Sequence, residues 1–183
     1  ISRKNIDRLS FATSEHSFFP ALSPEGHADF YAEHFPRFDR KRFDVLMDFF
    51  ELPRKGAPSK LSTGQKNQFE VVLARSQGAD YILMDEPFSG NDVFNREDFY
   101  KVLLGIMEPS ATVILSTHLI EEVEGSIGRA LLIHKGRLVG DVQMSELEET
   151  GEGLIDFEKR NYGYRAARIS KAIRELSEDE REE

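Results

Sequence analysis

Two carboxylates, Asp85 and Glu86, stand side by side after the apolar run Tyr81-Ile82-Leu83-Met84 and before Pro87. A run of that length and character reads as a buried strand, so the pair falls at a strand's carboxyl end, where burial makes unpaired charge costly. A divalent cation supplies one partner. The first carboxylate can then hold Mg²⁺ directly or through water, and the second, pointing the other way, can orient an attacking water. A helix N-terminus or a Lys would satisfy the same acidic strand end without any chemistry. A second strand-length run, Thr112-Val113-Ile114-Leu115, leads into Ser116-Thr117-His118. It puts an imidazole just past a strand end, able to donate a hydrogen bond to a phosphate oxygen. His16, His27, His34 and His134 lack that setting and read as surface or structural residues.

Two further segments have chemical uses. Leu61-Ser62-Thr63-Gly64-Gln65 opens a helical pattern with Phe69, Val72, Leu73 and Ser76 on one side and a stop at Gly78. Ser62 or Thr63 begins that helix. Its unpaired N–H groups, with a Gly beside a hydroxyl, suit an anion clamp, and the same residues serve equally as an ordinary Ser/Thr cap. Ser89-Gly90-Asn91-Asp92 reads as a turn that can also cap a helix beginning near Phe94.

The elements that position these groups follow from periodicity. Over 23–52 the residues Phe30, Phe35, Phe38, Phe43, Leu46, Met47, Phe49 and Phe50 recur mainly three or four apart and are interrupted by Pro36, which predicts two amphipathic helices with the Phe residues as core. Strands over 81–84, 112–115 and 130–133 alternate with helical patterns over 94–107 and 119–124, a βαβ rhythm for a parallel sheet buried on both faces. Lys135-Gly136-Arg137 reads as a turn into an antiparallel edge strand over 138–142, Ser145 as the cap of a short helix, and 165–183 as a charged helix.

Composition bounds the function. Among 183 residues the net charge of −9 argues against a broad nucleic-acid-binding surface. With 39% hydrophobic and 31% charged residues a soluble globular domain is expected, and the absence of Cys excludes disulfides, thiolate metal sites and cysteine nucleophiles. No apolar run approaches the roughly 20 residues that span a bilayer.

Read in order, the helix cap at 61–65, the strand and acidic pair at 82–86, the turn at 89–92 and the strand end at 116–118 resemble the signature motif, Walker B, D-loop and H-loop of ATP-binding cassette (ABC) ATPases. The likeness runs from about residue 6 to 142, and 18–23 is similar to the stretch after the Q-loop in subunits serving export-type permeases. It implies an α/β fold: an ABC-type nucleotide-binding domain of the P-loop NTPases, with a RecA-like, mainly parallel sheet and an inserted α-helical subdomain. On that pattern the helical subdomain with the signature covers about 20–78, the sheet portion about 79–157, and a charged helical tail 158–183.

The resemblance further implies that two such domains pair head to tail around ATP and Mg²⁺ and drive a membrane permease from the cytoplasmic side. Ser62 and Gly64, with Thr63 and Gln65 in the same motif, would meet a partner's γ-phosphate. Asp85 would support Mg²⁺, Glu86 would polarise the attacking water, His118 would contact the γ-phosphate, and Asp92 would communicate across the dimer. No direct nucleic-acid partner is expected. No G-x-x-x-x-G-K-[ST] occurs, and the chain opens on Ile1; an N-terminal truncation that removes the Walker A loop accounts for both. Ser14 or Glu15 stands at the Q-loop position, Asn91 replaces the usual D-loop Leu, and Thr63 a common Gly. The alternatives are a non-catalytic module that donates its signature to an active partner, and a soluble ABC ATPase acting on ribosomes or DNA.

Overall fold

The computed structural model describes residues 3–13, 15, 16, 18–87 and 111–162. Ser14, the D-loop turn at 89–92 with Asp92, the helix expected over 94–107 and the charged segment 165–183 lie outside the described residues. The chain divides into two compact units, Ile1–Leu119 and Ile120–Glu183.

In the first unit β1 (Leu9–Ala12), β2 (Tyr81–Asp85) and β3 (Thr112–Ser116) form a parallel sheet in the order β1-β2-β3. Between β1 and β2 the chain forms α1 (Pro24–His34), α2 (Arg40–Phe49) and α3 (Thr63–Ser76). Ser23 caps α1 by accepting from the Gly26 N–H at 3.1 Å, with Pro24 pre-setting the first turn, and α1 stops before Phe35-Pro36, where a residue preceding proline resists the helical region. Asp39 caps α2 by accepting from the Arg42 N–H at 2.9 Å. The apolar faces close on one core of Ala28, Phe43, Leu46, Met47, Leu52, Leu61, Phe69, Val72 and Leu73. The two helices match the periodicity, but of the expected Phe core only Phe43 is fully buried: Phe38 and Phe50 pack half-buried against it, Phe30 and Phe35 are half-buried, and Phe49 is 46% exposed.

α3 lies against the sheet: Ser10 Oγ donates to the Ala74 carbonyl at 3.0 Å and Gln77 Nε2 to the Leu9 carbonyl at 2.9 Å. On that face Ser10, Ala12, Ile82 and Met84 are buried, whereas Phe11, Tyr81 and Ile114, alternate in the strands, are exposed. The expected burial of both faces thus holds for one face only among the described residues. β1 had no counterpart in the sequence reading because four residues leave too short an alternation to detect.

The return from α3 into β2 is tightly built. Gly78 adopts φ +80°, and a Cβ there would sit 2.2 Å from the Arg37 carbonyl oxygen. Beyond it Asp80 binds Arg37 Nη1 at 2.6 Å and Arg8 Nε at 2.5 Å, and these hydrogen bonds, Arg37's first, hold its carboxyl below the usual carboxylate range. Arg54 braces the helical core from outside, reaching Asp44 at 2.5 Å and Asp48 at 2.7 Å.

The second unit holds α4 (Ile120–Val123), the antiparallel pair β4 (Arg129–His134) and β5 (Arg137–Gln143), α5 (Met144–Thr150) and α6 (Leu154–Asn161). Lys135 and Gly136 have φ of +49° and +73° between the paired His134 and Arg137, a two-residue hairpin turn. Ser145 does not cap α5. The helix begins one residue earlier, with Gln143 at its N-cap, no side-chain cap, and the Met144 N–H donated to the Gly128 carbonyl at 3.0 Å. α6 opens on the Leu154 N–H donating to Glu124 Oε1 at 2.6 Å and buries Leu154 and Phe157.

Gly78→Ala combines a left-handed backbone with a backbone clash, so it is expected to lower the unfolding free energy by at least about 2 kcal/mol. Urea denaturation of the chain, read as a shift in midpoint, measures this.

Candidate functional site

The parallel register sets Asp85 opposite Ser116. Ser116 Oγ donates to Asp85 Oδ1 at 2.5 Å, and the Glu86 N–H donates to the Ser116 carbonyl at 3.0 Å. At Glu86 the strand ends abruptly. Its φ is +44°, a left-handed conformation that costs a non-glycine residue about 1–2 kcal/mol. That conformation accompanies a carboxylate held by the segment after β3: Oε1 accepts from the His118 N–H at 3.1 Å and from His118 Nδ1 at 2.8 Å, while Thr117 Oγ1 lies 3.5 Å from Oε2. Thr117 Oγ1 also accepts from the Leu119 N–H at 3.0 Å, which fixes the turn.

The two carboxylates thus have separate settings. Asp85 is tied to a hydroxyl, while Glu86 is gripped by an amide and an imidazole. An ionised carboxylate only accepts, so His118 Nδ1 carries the proton toward Glu86, and Nε2 donates only in the imidazolium form. The expected donation from His118 to a phosphate oxygen therefore requires the charged ring in this arrangement. The His118 side chain is 74% exposed, so its pairing with Glu86 adds little to stability and serves to orient the two groups.

Asp85 and Ser116 offer hard oxygen donors of the kind Mg²⁺ takes. No group of three or more His, Cys, Asp or Glu among the described residues could hold a metal ion by itself. A cation at Asp85 would complete its shell with water and substrate oxygens, the usual arrangement for Mg²⁺. The donor set fits.

The segment 61–65 forms a second feature, at the start of α3. Ser62 is the N-cap in a reciprocal capping box: the Gln65 N–H donates to Ser62 Oγ at 3.2 Å and the Ser62 N–H to Gln65 Oε1 at 3.0 Å. The cap reading is therefore realised. It leaves the Ser62 hydroxyl proton available to an outside acceptor, with Thr63 and Gly64 in the first turn. Gly78 follows α3 in the left-handed conformation, where the sequence placed its stop.

The structure joins Asp85, Glu86, Ser116, Thr117 and His118 at one sheet end and arranges Ser62, Thr63, Gly64 and Gln65 at one helix start. Glu15 lies beyond the carboxyl end of β1, its N–H donating to Thr13 Oγ1 at 3.2 Å. The sequence reading missed the parts played by Ser116 and Thr117. The only available signal was two hydroxyl residues between a strand and a histidine.

No family model matches the chain. Across 93% of its length it superposes on 69% of a solved ATP-binding subunit of an ABC transporter, with a TM-score of 0.68 and 19% sequence identity. The fold is thus that of an ABC-type nucleotide-binding domain. Among curated proteins it is 28% identical over 116 residues to the ABC transporter ATP-binding protein YtrB of Bacillus subtilis (strain 168), covering 63% of this chain and 40% of that protein. It is 31% identical over 110 residues to the Nod factor export ATP-binding protein I of Ralstonia nicotianae, covering 59% of this chain and 34% of that protein. The chain is thus similar to ATP-binding proteins of ABC transporters, and it spans less than half the length of these two.

Replacing Ser62 with Ala removes one half of the capping box, so Ser62→Ala is expected to cost about 1 kcal/mol of stability and Ser62→Asn to recover most of it. Denaturant midpoints of the three chains measure the difference.

Proposed function

We propose that this chain belongs to an ATP-hydrolysing subunit that drives a membrane permease. The observation that carries the reading is the Glu86 carboxylate, held by the His118 amide and ring beside a second carboxylate at the ends of adjacent parallel strands. A module that only lends its signature to a partner has no chemical need for that pair.

The proposed roles are those that the resemblance to ABC ATPases implies, and the donor chemistry of Asp85, Glu86 and His118 suits them. Asp85 holds Mg²⁺, which when bound neutralises charge on the phosphates. Glu86 positions the attacking water and accepts its hydrogen bond. His118, as imidazolium, donates from Nε2 to a γ-phosphate oxygen. Ser62 and Gly64, with Thr63 and Gln65, face the nucleotide of a second ABC domain paired head to tail, and Asp92 communicates across that dimer. Catalysis in this scheme is positioning and electrostatics, with no covalent enzyme intermediate. Among the described residues no helix is long and apolar enough to cross a membrane. The proposed membrane association runs through the permease, on its cytoplasmic side, as the resemblance implies. Export is the direction that the resemblance of 18–23 to export-type subunits supports; the relatives' names divide, one being an export and another an arabinose import ATP-binding protein.

In the complete protein, Glu86→Gln is expected to retain ATP while slowing turnover by about 10²–10⁴-fold. Steady-state phosphate release together with ATP retention on the protein tests this, and turnover within a few-fold of the unsubstituted protein would overturn the proposal.

A further inference from the structure

In its first turn α1 carries a histidine that the site does not use. His27 is 1% exposed on the first turn of α1. Its Nδ1 lies 2.8 Å from the Ser23 carbonyl oxygen, and the Phe19 N–H donates to its Nε2 at 3.0 Å. A carbonyl can only accept and an N–H can only donate, so the two contacts together specify the neutral ring with its proton on Nδ1. Aromatic rings surround it: Phe18 and Phe69 meet it edge-on at 5.8 and 5.5 Å between centroids, and Phe19 lies tilted at 5.8 Å. Both ring nitrogens are satisfied within an apolar box, as a buried imidazole requires.

We infer that His27 is a positioning residue: its neutral, Nδ1-protonated ring pins the Phe18-Phe19 backbone to the first turn of α1, and protonation at Nε2 releases that pin. The logic is one of donor and acceptor. An Nε2 that gains a proton cannot accept from the Phe19 N–H, and two donors then face each other in a site with no water-like replacement among its aromatic neighbours.

Charged and titratable groups also occur on the connection, on α1 and on α3, and His27 itself responds to none of them. On the connection His16 stacks on Phe18, and on α3 Lys66 acts on His16 while Glu70 acts on Tyr31. On α1 Glu25 and Asp29 pair with Arg40 of α2. His27 itself responds first to burial, which lowers its pKa below the ordinary histidine value, and second to the Ser23 carbonyl, which opposes that shift. A depressed value means that the neutral ring stabilises the fold above the ordinary histidine pKa. That stability is lost as pH falls through the lower, folded-state value.

Phe18 and Phe19 lead from the sheet end that carries Glu15 into the helical unit that carries the signature segment. The pin is a property of this chain alone; only its consequence for ATP-driven coupling rests on the proposed function. The test is therefore amide exchange, which is read without nucleotide. In the unsubstituted chain, nitrogen-15 shifts should report a neutral His27 protonated on Nδ1 at neutral pH. Protection of the Phe19 amide, corrected for intrinsic exchange, should fall as the pH drops below the ordinary histidine range. His27→Phe, which keeps the ring and removes both bonds, should speed Phe19 exchange at least about 10-fold while α3 amides stay protected. His27→Gln, which keeps an acceptor that does not titrate, should hold Phe19 protected across the same pH range. An Nε2-protonated ring at neutral pH, or a Phe19 protection profile unchanged by His27→Gln, overturns the inference, and the first of these needs no variant to fold. Loss of ATP turnover in the complete protein with the exchange results intact would count against the proposed function instead.

Discussion

Everything at the candidate site hangs on the parallel pairing of β2 with β3. That pairing brings Asp85 opposite Ser116 and lets the Glu86 amide continue the ladder onto the Ser116 carbonyl, joining groups 30 and 31 residues apart in sequence. Side chains on a strand alternate, so two consecutive carboxylates leave a strand on opposite sides. Here the alternation and the left-handed turn at Glu86 act together. One carboxylate stays with the strand-end hydroxyl, and the other is taken up by the turn after β3. Two acidic groups that would repel each other in a shared site are thereby given different partners.

The helical part is organised around α3, whose two ends are fastened by different means. Its start is held by its own side chains in the Ser62–Gln65 box, and its far end by Gln77 reaching the Leu9 carbonyl and by Gly78 turning under Arg37. Between them Phe69, Val72 and Leu73 bury against α1 and α2, while Ala74 receives Ser10 from the sheet. A helix that serves both the Phe-rich core and the sheet has little freedom to shift. Its first turn, where the signature residues lie, is consequently presented from a rigid base.

Much of this was legible in the residues, for identifiable reasons. Long periodic segments and fully apolar runs marked α1, α2, α3, β2 and β3, and the Ser/Thr cap with a terminal Gly marked the ends of α3. One failure was topological: the strand over 130–133, expected in the parallel sheet, pairs antiparallel with β5 in a separate sheet; the others were local. β1 was too short to show alternation. Ser145 looked like a cap because nothing in the sequence announced that the Gly128 carbonyl would take up the Met144 amide. Phe49 shares a helix with buried residues yet turns its ring outward, since helical spacing gives a face but not its width.

The sequence by itself determined which groups are available for chemistry and the order in which they arrive, because strand length, helix period and caps are short-range properties read from neighbouring residues. Tertiary structure alone decided how those groups meet: that Glu86 adopts a left-handed turn, that His118 grips it through Nδ1, and that the buried His27 links the Ser23 carbonyl to the Phe19 amide. Each of these depends on a hydrogen bond to a partner distant in the chain or set by the packing around it, and sequence spacing carries no information about such partners.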